Sequence, residues 1–226
     1  MENNIIIRNK KYRILGTIAS GAQGCVYKIE ANDGERLALK VLFPTENDIN
    51  YEKRLLYLNN ILSNGLISEV MVYPRYVKKK STGEVEYTME LLEGYSDCDK
   101  AWKDPRNYYP LNPETKFRII RNIYHALDML HEENLDYSDP SPQNILFNPS
   151  TGEVKYIDTD SISFSRVNNR NDFGMGGKSP VVGTGEFRAP ESYRSNYDHD
   201  CYSDIFGLTI YVFRLLVGID PFYGRK

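Results

Sequence analysis

The sequence predicts an α+β fold in two parts, a strand-rich first part and a mostly helical second part. As far as about Met89, short apolar runs are separated by turn residues such as Asn32–Gly34, which is typical of an antiparallel sheet. From Asn112 onwards, apolar residues recur at helical spacing instead. A chain of 226 residues can bury a sizeable core. We divide it into residues 1–93, a small sheet with one helix, and residues 94–226.

Strands dominate the first part. Five are predicted, at Tyr12–Ile18, Cys25–Glu30, Arg36–Leu42, Arg75–Lys79 and Val85–Met89. Between the third and the fourth, leucines at helical spacing are followed by Gly65, a residue that often ends helices. One helix is therefore predicted before Gly65.

Two helices are predicted in the second part. Asn112 is a suitable N-cap and Pro113 suits the first helical position. A later helix, Ser203–Gly218, is apolar around nearly its whole circumference, which indicates burial on more than one side. We expect its neighbours in this chain to cover only part of it, so that a partner or a further chain segment covers the rest.

Charge and cysteine content narrow the function classes. The net charge is −3 and the pI is near 5.7, which argues against a nucleic-acid binder driven by basic charge. Three widely spaced cysteines, Cys25, Cys98 and Cys201, fit neither a disulfide framework nor a zinc site. The N-terminus lacks the apolar run of a signal peptide, and Ile205–Val217 is too short to span a bilayer. We expect a soluble, cytoplasmic protein.

A glycine-containing turn, Ala19–Val26 ("ASGAQGCV"), joins the first two predicted strands. Glycines let backbone N–H groups approach phosphate oxygens without an intervening side chain. A strand follows the glycines where a dinucleotide-binding fingerprint would have a helix, which favours a strand-turn-strand phosphate flap. For this stretch alone, an ordinary hairpin turn explains the pattern equally well.

Lys40 lies on the apolar strand that follows this turn. A buried ammonium there could hold nucleotide phosphates, and Glu52 on the next helix could hold Lys40 through an ion pair. Surface lysines and glutamates are common, so neither residue alone identifies a site.

Taken in order, these motifs and those that follow resemble a eukaryotic-like Ser/Thr protein kinase domain from Tyr12 to Phe222. The later motifs are "TMELLEG", "DPSPQN", "IDTD", "VGTGEFRAPE" and "SDIFGLTIYVFRLLVGIDPF". The "IDTDS" and "DIFGL" variants are similar to a divergent bacterial branch of these kinases. The resemblance implies a two-lobe fold whose second lobe lacks its last helices.

The resemblance also implies a role for each matching residue. Asp139 would be the base that orients the substrate hydroxyl, with Asn144 and Asp158 as magnesium ligands. Thr184 would bond to the catalytic aspartate. ATP contacts would come from Ile18, Ala19, Gly21, Gly24, Val26, Ala38, Lys40, Met89, Glu90, Leu92 and Leu146. Magnesium prefers hard oxygen ligands, and adenine needs apolar groups on both faces. By itself "DPSPQN" is also a plausible surface turn.

The chain departs from the family pattern in its phosphate-facing charges. Ala19 replaces the first glycine of the flap, a change that a small residue allows. Ser138 replaces the arginine that in the family pairs with a phosphorylated activation-loop residue, so we expect no such switch. Ser141 replaces a lysine near the transferred phosphoryl group, and Leu135–Val154 contains no basic residue. Losing one such donor slows catalysis about 10²- to 10³-fold.

The metal-loop sequence departs as well, because "DTD" stands where the family has Asp-Phe-Gly. Losing the phenylalanine removes a plug, which Tyr137 can replace, and losing the glycine removes a hinge. Asp160 could lie near the metal site or face solvent, and the sequence leaves both open.

Two acidic residues of the second part complete the resemblance. Asp204 matches the aspartate that ties the central helix to the catalytic-loop backbone, although a helix N-terminus also favours Asp there. Glu191 matches a glutamate that pairs with a later arginine in the family. None of the arginines that follow it here, Arg194, Arg214 and Arg225, is at the matching position. We expect a buried, unpaired carboxylate, which is costly.

Three functions follow from these features. The leading hypothesis is an ATP- and Mg²⁺-dependent protein kinase that phosphorylates Ser or Thr of a protein substrate, slowed by the missing lysine. The alternative is a pseudokinase that binds nucleotide and regulates a partner. "VGTGEFRAPE", which forms a platform for peptide substrates in protein kinases, disfavours a small-molecule phosphotransferase. Neither nucleic acid nor membrane is expected as a partner.

Overall fold

A computed structural model gives the fold of the chain. It describes residues 4–44, 51–97, 111–164, 166–167, 184–194, 197 and 199–222. Among the features discussed above, Cys98 and the first two residues of "VGTGEFRAPE" (residues 182–191) lie outside these ranges. The chain forms two compact units, and each is described by itself below. The first comprises Met1–Asn64 and Val72–Glu93, and the second Gly65–Met71 and Gly94–Lys226.

The first unit is built on a six-stranded antiparallel sheet with the order β1-β2-β3-β4-β6-β5. Its strands are β1 (Asn4–Ile7), β2 (Lys10–Ser20), β3 (Gly24–Ala31), β4 (Arg36–Leu42), β5 (Tyr76–Lys79) and β6 (Val85–Glu90). Helix α1 (Tyr51–Leu62) lies between β4 and β5 and buries Leu55, Leu58 and Leu62. The five predicted strands and the helix are confirmed. β1 was missed because its three consecutive isoleucines give no alternation.

One face of this sheet carries the core of the first unit. The buried residues of this core are Ile7, Tyr12, Ile29, Ala31, Leu37 and Leu39. Residues two apart on a strand, and residues directly opposite on paired strands, share a face of the sheet. The alternate residues of β3, β4 and β6 therefore point to the other face.

The second unit contains three α-helices within the described residues: α2 (Ile67–Val70), α3 (Pro113–Glu132) and α4 (Cys201–Val217). It also has a three-stranded sheet, β7 (Ser96–Asp97), β8 (Ile145–Phe147) and β9 (Val154–Tyr156). Short 3₁₀ turns cover Thr159–Ser161, Gly185–Phe187 and Pro190–Tyr193. The prediction of a small antiparallel sheet followed by a mainly helical part is confirmed as a fold class. The three short strands, of two or three residues, were not predicted.

The ends of the long helices follow local sequence signals. Asn112 Oδ1 accepts a hydrogen bond from the N–H of Thr115 at 2.8 Å, and Pro113 opens α3, as predicted. α4 begins two residues earlier than predicted because Asp200 caps it by accepting from the N–H of Ser203 at 3.0 Å. Gly218 ends it with φ of 79°, the left-handed conformation that glycine adopts without strain.

Segment 65–71 belongs to the second unit, although the division at residue 93 placed it with the first. Its helix α2 buries Ile67 and packs against α3 and β9. Met71 is fully buried and forms a β-bridge with Tyr156. These long-range contacts decide where the segment belongs.

The described part of α4 leaves several apolar side chains exposed. Ile205, Phe213, Leu216 and Val217 are each between 38% and 53% exposed, whereas Leu208 and Tyr211 are fully buried. The prediction that this chain covers only part of the helix is therefore confirmed for the described residues. In the same residues, no helix is long and apolar enough to cross a membrane.

Candidate active site

The predicted ATP-binding residues of the first unit include four that share one face of its sheet. Val26 on β3 lies opposite Lys40 on β4, and Ala38 on β4 lies opposite Met89 on β6. Because Ala38 and Lys40 are two residues apart, all four side chains point to the same side. Ala38 and Lys40 are 3% and 8% exposed. The Lys40 side chain is thus largely buried on this face.

The two glycines of the predicted phosphate flap have different roles. At Gly24, a Cβ atom would lie 2.2 Å from the carbonyl oxygen of Val41, so the close approach of β4 requires glycine there. At Gly21, a Cβ would meet nothing within 4 Å. The N–H of Gly21 donates to the carbonyl of Gly24 at 3.0 Å and closes the turn. Of these two glycines, Gly24 is required by the packing of the protein, whereas packing does not explain why residue 21 is glycine.

The remaining predicted residues of the first unit lie at the end of β2, at and after the end of β6, and in α1. Ile18 is 52% exposed and Ala19 is exposed at the end of β2, while Glu90 and Leu92 are half-buried. Glu52 is half-buried in the first turn of α1. Its ion pair with Lys40 stays a prediction.

In the second unit, the carboxylate of Asp139 is held at both oxygens. Oδ1 accepts from the backbone N–H of Thr184 at 2.9 Å, and Oδ2 accepts from Asn144 Nδ2 at 3.0 Å. Thr184 makes this bond with its backbone N–H. The resemblance to kinases had drawn attention to the threonine side chain instead. The N–H of Ser141 donates to the Asp139 carbonyl at 2.7 Å, so the loop is a tight turn. Leu146 follows on β8, where it is half-buried.

Tyr137 ties the catalytic loop to the metal loop. Its hydroxyl donates to the carbonyl of Ile157 and lies 2.9 Å from the carbonyl of Asn144. The ring is fully buried and packs edge to face on Tyr156, with centroids 4.8 Å apart. Burial, and next the charges of Asp158 and Asp139, raise the pKa of Tyr137 well above its usual range. The hydroxyl therefore stays protonated and keeps its donor.

Asp204 anchors the catalytic loop from α4, as the sequence predicts. Its carboxylate is fully buried and accepts from the N–H of Tyr137 at 2.6 Å and of Ser138 at 2.8 Å. Nε2 of His131 and of His199 also lie 3.0 and 2.9 Å from its oxygens. Burial opposes its ionisation, but these hydrogen bonds outweigh burial and lower the pKa of Asp204.

α4 presents one stripe to the loops of the site. Gly207, one turn after Asp204, contacts Pro140 so closely that a Cβ would lie 2.4 Å from Pro140 Cγ and 2.8 Å from the carbonyl oxygen of Phe187. Two turns further on, Arg214 Nη2 donates to Glu186 at 2.9 Å. Its guanidinium lies 4.4 Å from the centroid of the Phe187 ring. The same helix face thus fixes both the catalytic loop and segment 185–188.

The positions of the second unit that depart from the family pattern are buried, whereas Ala19 in the first unit is exposed. Ser138, Ser141, Thr159 and Asp160 are each at most 5% exposed. The solvent-facing alternative for Asp160 is therefore wrong, because the 3₁₀ turn at Thr159–Ser161 directs it inward. Asp158 itself has φ of 58°, in the left-handed region.

Glu191 is less buried than the sequence led us to expect. It is half-buried, and in the described part of the chain no ion pair or hydrogen bond of its carboxylate occurs. Water can reach the group, so the expected penalty for a buried charge does not arise.

Three residues near the site were not foreseen as partners. His131 and His199 bind Asp204, and Asp136 pairs with Arg166. His131 lies 73 positions from Asp204, and Asp136 lies 30 positions from Arg166, so no local pattern pairs them. His199 is only five positions from Asp204, but that spacing alone does not predict a contact. The only available signal was Asp136 itself, a charged residue between two residues that the fold buries completely, Leu135 and Tyr137.

Comparison with known proteins agrees with this geometry. Residues 12–226 match the family model described as protein kinase domain. The chain is similar to calcium-dependent protein kinase 5 of Plasmodium falciparum, at 27% identity over 92% of this chain and 34% of the relative. It is also similar, at 27% identity, to the serine/threonine-protein kinases PknE of Mycobacterium bovis, over 95% of this chain and 36% of the relative, and PknD of Mycobacterium tuberculosis, over 93% and 30%.

The fold, the loop around Asp139 and the family match together define a class. The chain belongs to the protein kinase domain family, and its relatives are eukaryotic-like Ser/Thr kinases. It spans about a third of the length of these relatives.

Proposed function

We propose that the chain binds magnesium and ATP and transfers the γ-phosphoryl group to Ser or Thr hydroxyls of a protein substrate. The observation that carries the proposal is the fixed carboxylate of Asp139, which has Thr184 N–H on one oxygen and Asn144 Nδ2 on the other. A side chain held in this way is oriented before substrate arrives. That preorganisation is the main protein contribution to phosphoryl transfer.

The proposed role of Asp139 is to orient the attacking hydroxyl and accept its proton. The hydroxyl oxygen forms a bond to the γ-phosphorus while the bond from that phosphorus to the ADP oxygen breaks. A small cavity lined by Ser138, Asp139, Thr184 and Phe187 adjoins the carboxylate. The segment that begins at Thr184 supports a peptide substrate and Ser/Thr specificity.

The residues present fit a magnesium ion. Asn144 uses its Nδ2 on Asp139, which leaves the amide oxygen as the atom for a cation, and Asp158 offers a carboxylate. Amide and carboxylate oxygens are ligands that Mg²⁺ prefers. When bound, the ion neutralises charge on the phosphates. The chain places Asp158 near Tyr137, and the charge of Asp158 contributes to the raised pKa of Tyr137.

For the nucleotide, the proposal assigns the phosphates to Lys40 and the backbone at Gly21, with Glu52 pairing with Lys40. In the first unit, adenine would contact Ile18, Val26 and Ala38. Further contacts come from Ala19, Gly24, Met89, Glu90 and Leu92. The open space at Gly21 supports this assignment, because nothing in the protein forbids a side chain there.

Ser141 favours a second candidate, a nucleotide-binding pseudokinase. It is buried at the position of the family's lysine, so the loop supplies no cation of its own. Arg188 does not take the place of that lysine, because its guanidinium lies 4.4 Å from the centroid of the Tyr193 ring and bonds to Ser192.

Labelled ATP with magnesium and a general protein substrate, followed by mapping of the phosphorylated residues, separates the two functions. We expect slow incorporation on Ser or Thr, and Asp139→Asn should reduce it at least about 100-fold, the usual size of a general-base contribution. Asp128→Asn, an exposed change on α3, is the control. ATP binding by calorimetry without any incorporation would establish the pseudokinase, and phosphotyrosine would refute the specificity.

A further inference from the structure

Asp136 is a buried carboxylate next to the catalytic loop. It is 0% exposed and lies three residues before Asp139. Its backbone forms an isolated bridge with Ser163: the N–H of Asp136 donates to the Ser163 carbonyl at 3.1 Å, and the N–H of Ser163 donates back at 2.7 Å. The bridge joins the chain entering the catalytic loop to the chain leaving the metal loop at Asp158.

Arg166 reinforces this bridge with its side chain. Nε and Nη2 lie 2.8 and 2.7 Å from Asp136 Oδ1. Nη2 also donates to the carbonyl of Leu135 at 3.1 Å, and Nη1 to that of His131 at 3.4 Å. One guanidinium therefore binds the last turn of α3 at His131, the carbonyl of Leu135 three residues after the helix, and the buried carboxylate. A lysine could not reproduce these contacts with its single ammonium group.

The charge of Arg166 balances a site that is otherwise negative. Asp136 and Asp204 each have an oxygen within 4.8 Å of the other and of a His131 nitrogen. The carboxylate of Asp204 contacts the two histidines and two backbone N–H groups, and that of Asp136 forms an ion pair with Arg166. Burial lowers the pKa of Arg166, but the hydrogen bond to Asp136 and its charge outweigh burial and raise it.

Such a pair contributes more to position than to stability. Desolvation of two charges offsets most of their attraction, so a buried ion pair adds little net stability. The several hydrogen bonds of this one rigid guanidinium, to Asp136 Oδ1 and to the carbonyls of His131 and Leu135, nevertheless fix the relative placement of the two chain segments that it joins. Those segments lead directly to Asp139 and away from Asp158.

We propose that Arg166 is a positioning residue that holds the start of the activation segment on the catalytic loop through Asp136. In the family, a phosphorylated activation-loop residue and the arginine before the catalytic aspartate are paired, and Ser138 replaces that arginine here. The ion pair within the chain takes over this role, so activity does not depend on a phosphate. The effect on turnover rests on the proposed kinase function, whereas the effect on the bridge does not.

Hydrogen exchange tests the bridge without any catalysis. In Arg166→Gln, exchange of the amides of Asp136 and Ser163 should rise at least about tenfold, the size expected when a charged hydrogen bond is lost. The amides of β4 in the first unit should not change. Arg118→Gln is the matched control, since Arg118 also pairs with a carboxylate and a backbone carbonyl, at Glu114 and Thr151. Unchanged exchange in Arg166→Gln would overturn the proposal.

Steady-state kinetics then tests positioning. Arg166→Gln should lower kcat about tenfold or more with KM for ATP changed less than about twofold, and Arg166→Lys should restore part of kcat. Phosphatase treatment of the unsubstituted chain should leave kcat unchanged. Faster exchange with an unaltered kcat, or loss of activity on phosphatase treatment, would refute the positioning role.

Two further results remain interpretable. If the unsubstituted chain shows no turnover, the proposed function fails while the exchange measurement still decides the bridge. If Arg166→Gln does not fold, the double variant Asp136→Asn with Arg166→Gln removes both charges and is measured in its place. Normal exchange in that double variant would overturn the proposal, and raised exchange would support it.

Discussion

The glycine turn of the first unit and the catalytic loop of the second are both tight turns, yet they are held in opposite ways. Gly21 has open space where a side chain would be, and its turn is closed by one backbone hydrogen bond. The loop at Asp139 is bound from several directions: Thr184, Asn144 and Asp204 all hydrogen-bond to it. The first turn is determined by local sequence, and the second by distant residues.

The difference separates changes that affect folding from changes that affect ligands. A substitution in the catalytic loop or its supports disturbs buried, hydrogen-bonded groups, so stability and activity fall together. A substitution at Gly21 disturbs nothing within the protein. Any functional effect there would report directly on a bound group.

The largest expected effect is that of Asp204→Asn. The amide keeps one acceptor oxygen and puts an NH₂ donor in place of the other, so one of the two backbone N–H groups and one of the two histidines lose their acceptor. We expect the free energy of unfolding to fall by about 3–5 kcal/mol, as for breaking a buried charged network. Denaturant unfolding measures this. A loss no larger than that of Asp128→Asn would show that Asp204 does not anchor the loop.

Next in size is Gly207→Ala. The new methyl would collide with Pro140 and with the carbonyl of Phe187, which forces the loop and α4 apart. Overpacking of this kind costs about 1–3 kcal/mol, and it should also lower any phosphoryl transfer, because Pro140 adjoins Asp139. Gly16→Ala is the control, since a Cβ there meets nothing within 4 Å. Equal stability of the two variants would contradict the close contact.

A pH effect is expected from His199. Burial lowers its pKa, but its hydrogen bond to Asp204 and the charges of Asp204, Asp136 and Asp200 outweigh burial and raise it above 6.5. A raised folded-state pKa means that the stabilisation is fully present below the unfolded value and is lost as pH rises through the folded value. The free energy of unfolding should therefore fall as the pH rises above about 6.5.

Comparison with His199→Gln isolates this contribution. Thermal unfolding of the variant should depend less on pH over the same range than that of the unsubstituted chain. His131 and Arg166 face the same cluster and are unchanged in the variant. A pH dependence that is identical in both proteins would assign it to other groups.

The smallest effect on stability is expected for Gly21→Ala. With nothing within 4 Å of the new Cβ, the free energy of unfolding should change by less than about 0.5 kcal/mol. ATP affinity should nevertheless fall, because a methyl would stand where phosphates are proposed to approach. Gly24→Ala is the contrast: its Cβ would lie 2.2 Å from Val41 O, so it should lose stability. If the ATP affinity of Gly21→Ala is unaltered, the turn at Gly21 does not contact the nucleotide.

Local signals in the sequence determined much of this protein. The start of α3 follows from Asn112 and Pro113, and Lys40 lies on a strand because it stands in the short apolar run Leu37–Leu42 between turn residues. The hydrogen bond between Asn144 and Asp139 joins residues five positions apart in a turn-forming stretch. Such features depend on propensity and spacing within a few residues, which is why the fold class could be predicted, whereas the roles of the residues around Asp139 rest on the resemblance to protein kinases.

Only the tertiary structure decided which polar groups are buried together. Asp136 meets Arg166 across 30 positions, and His131 meets Asp204 across 73. Asp160 could equally have faced solvent as far as its neighbours show, and its burial depends on how the 3₁₀ turn packs. Periodicity gives the face of a helix or strand but not the partner that it meets, because that choice results from packing between segments far apart in the chain.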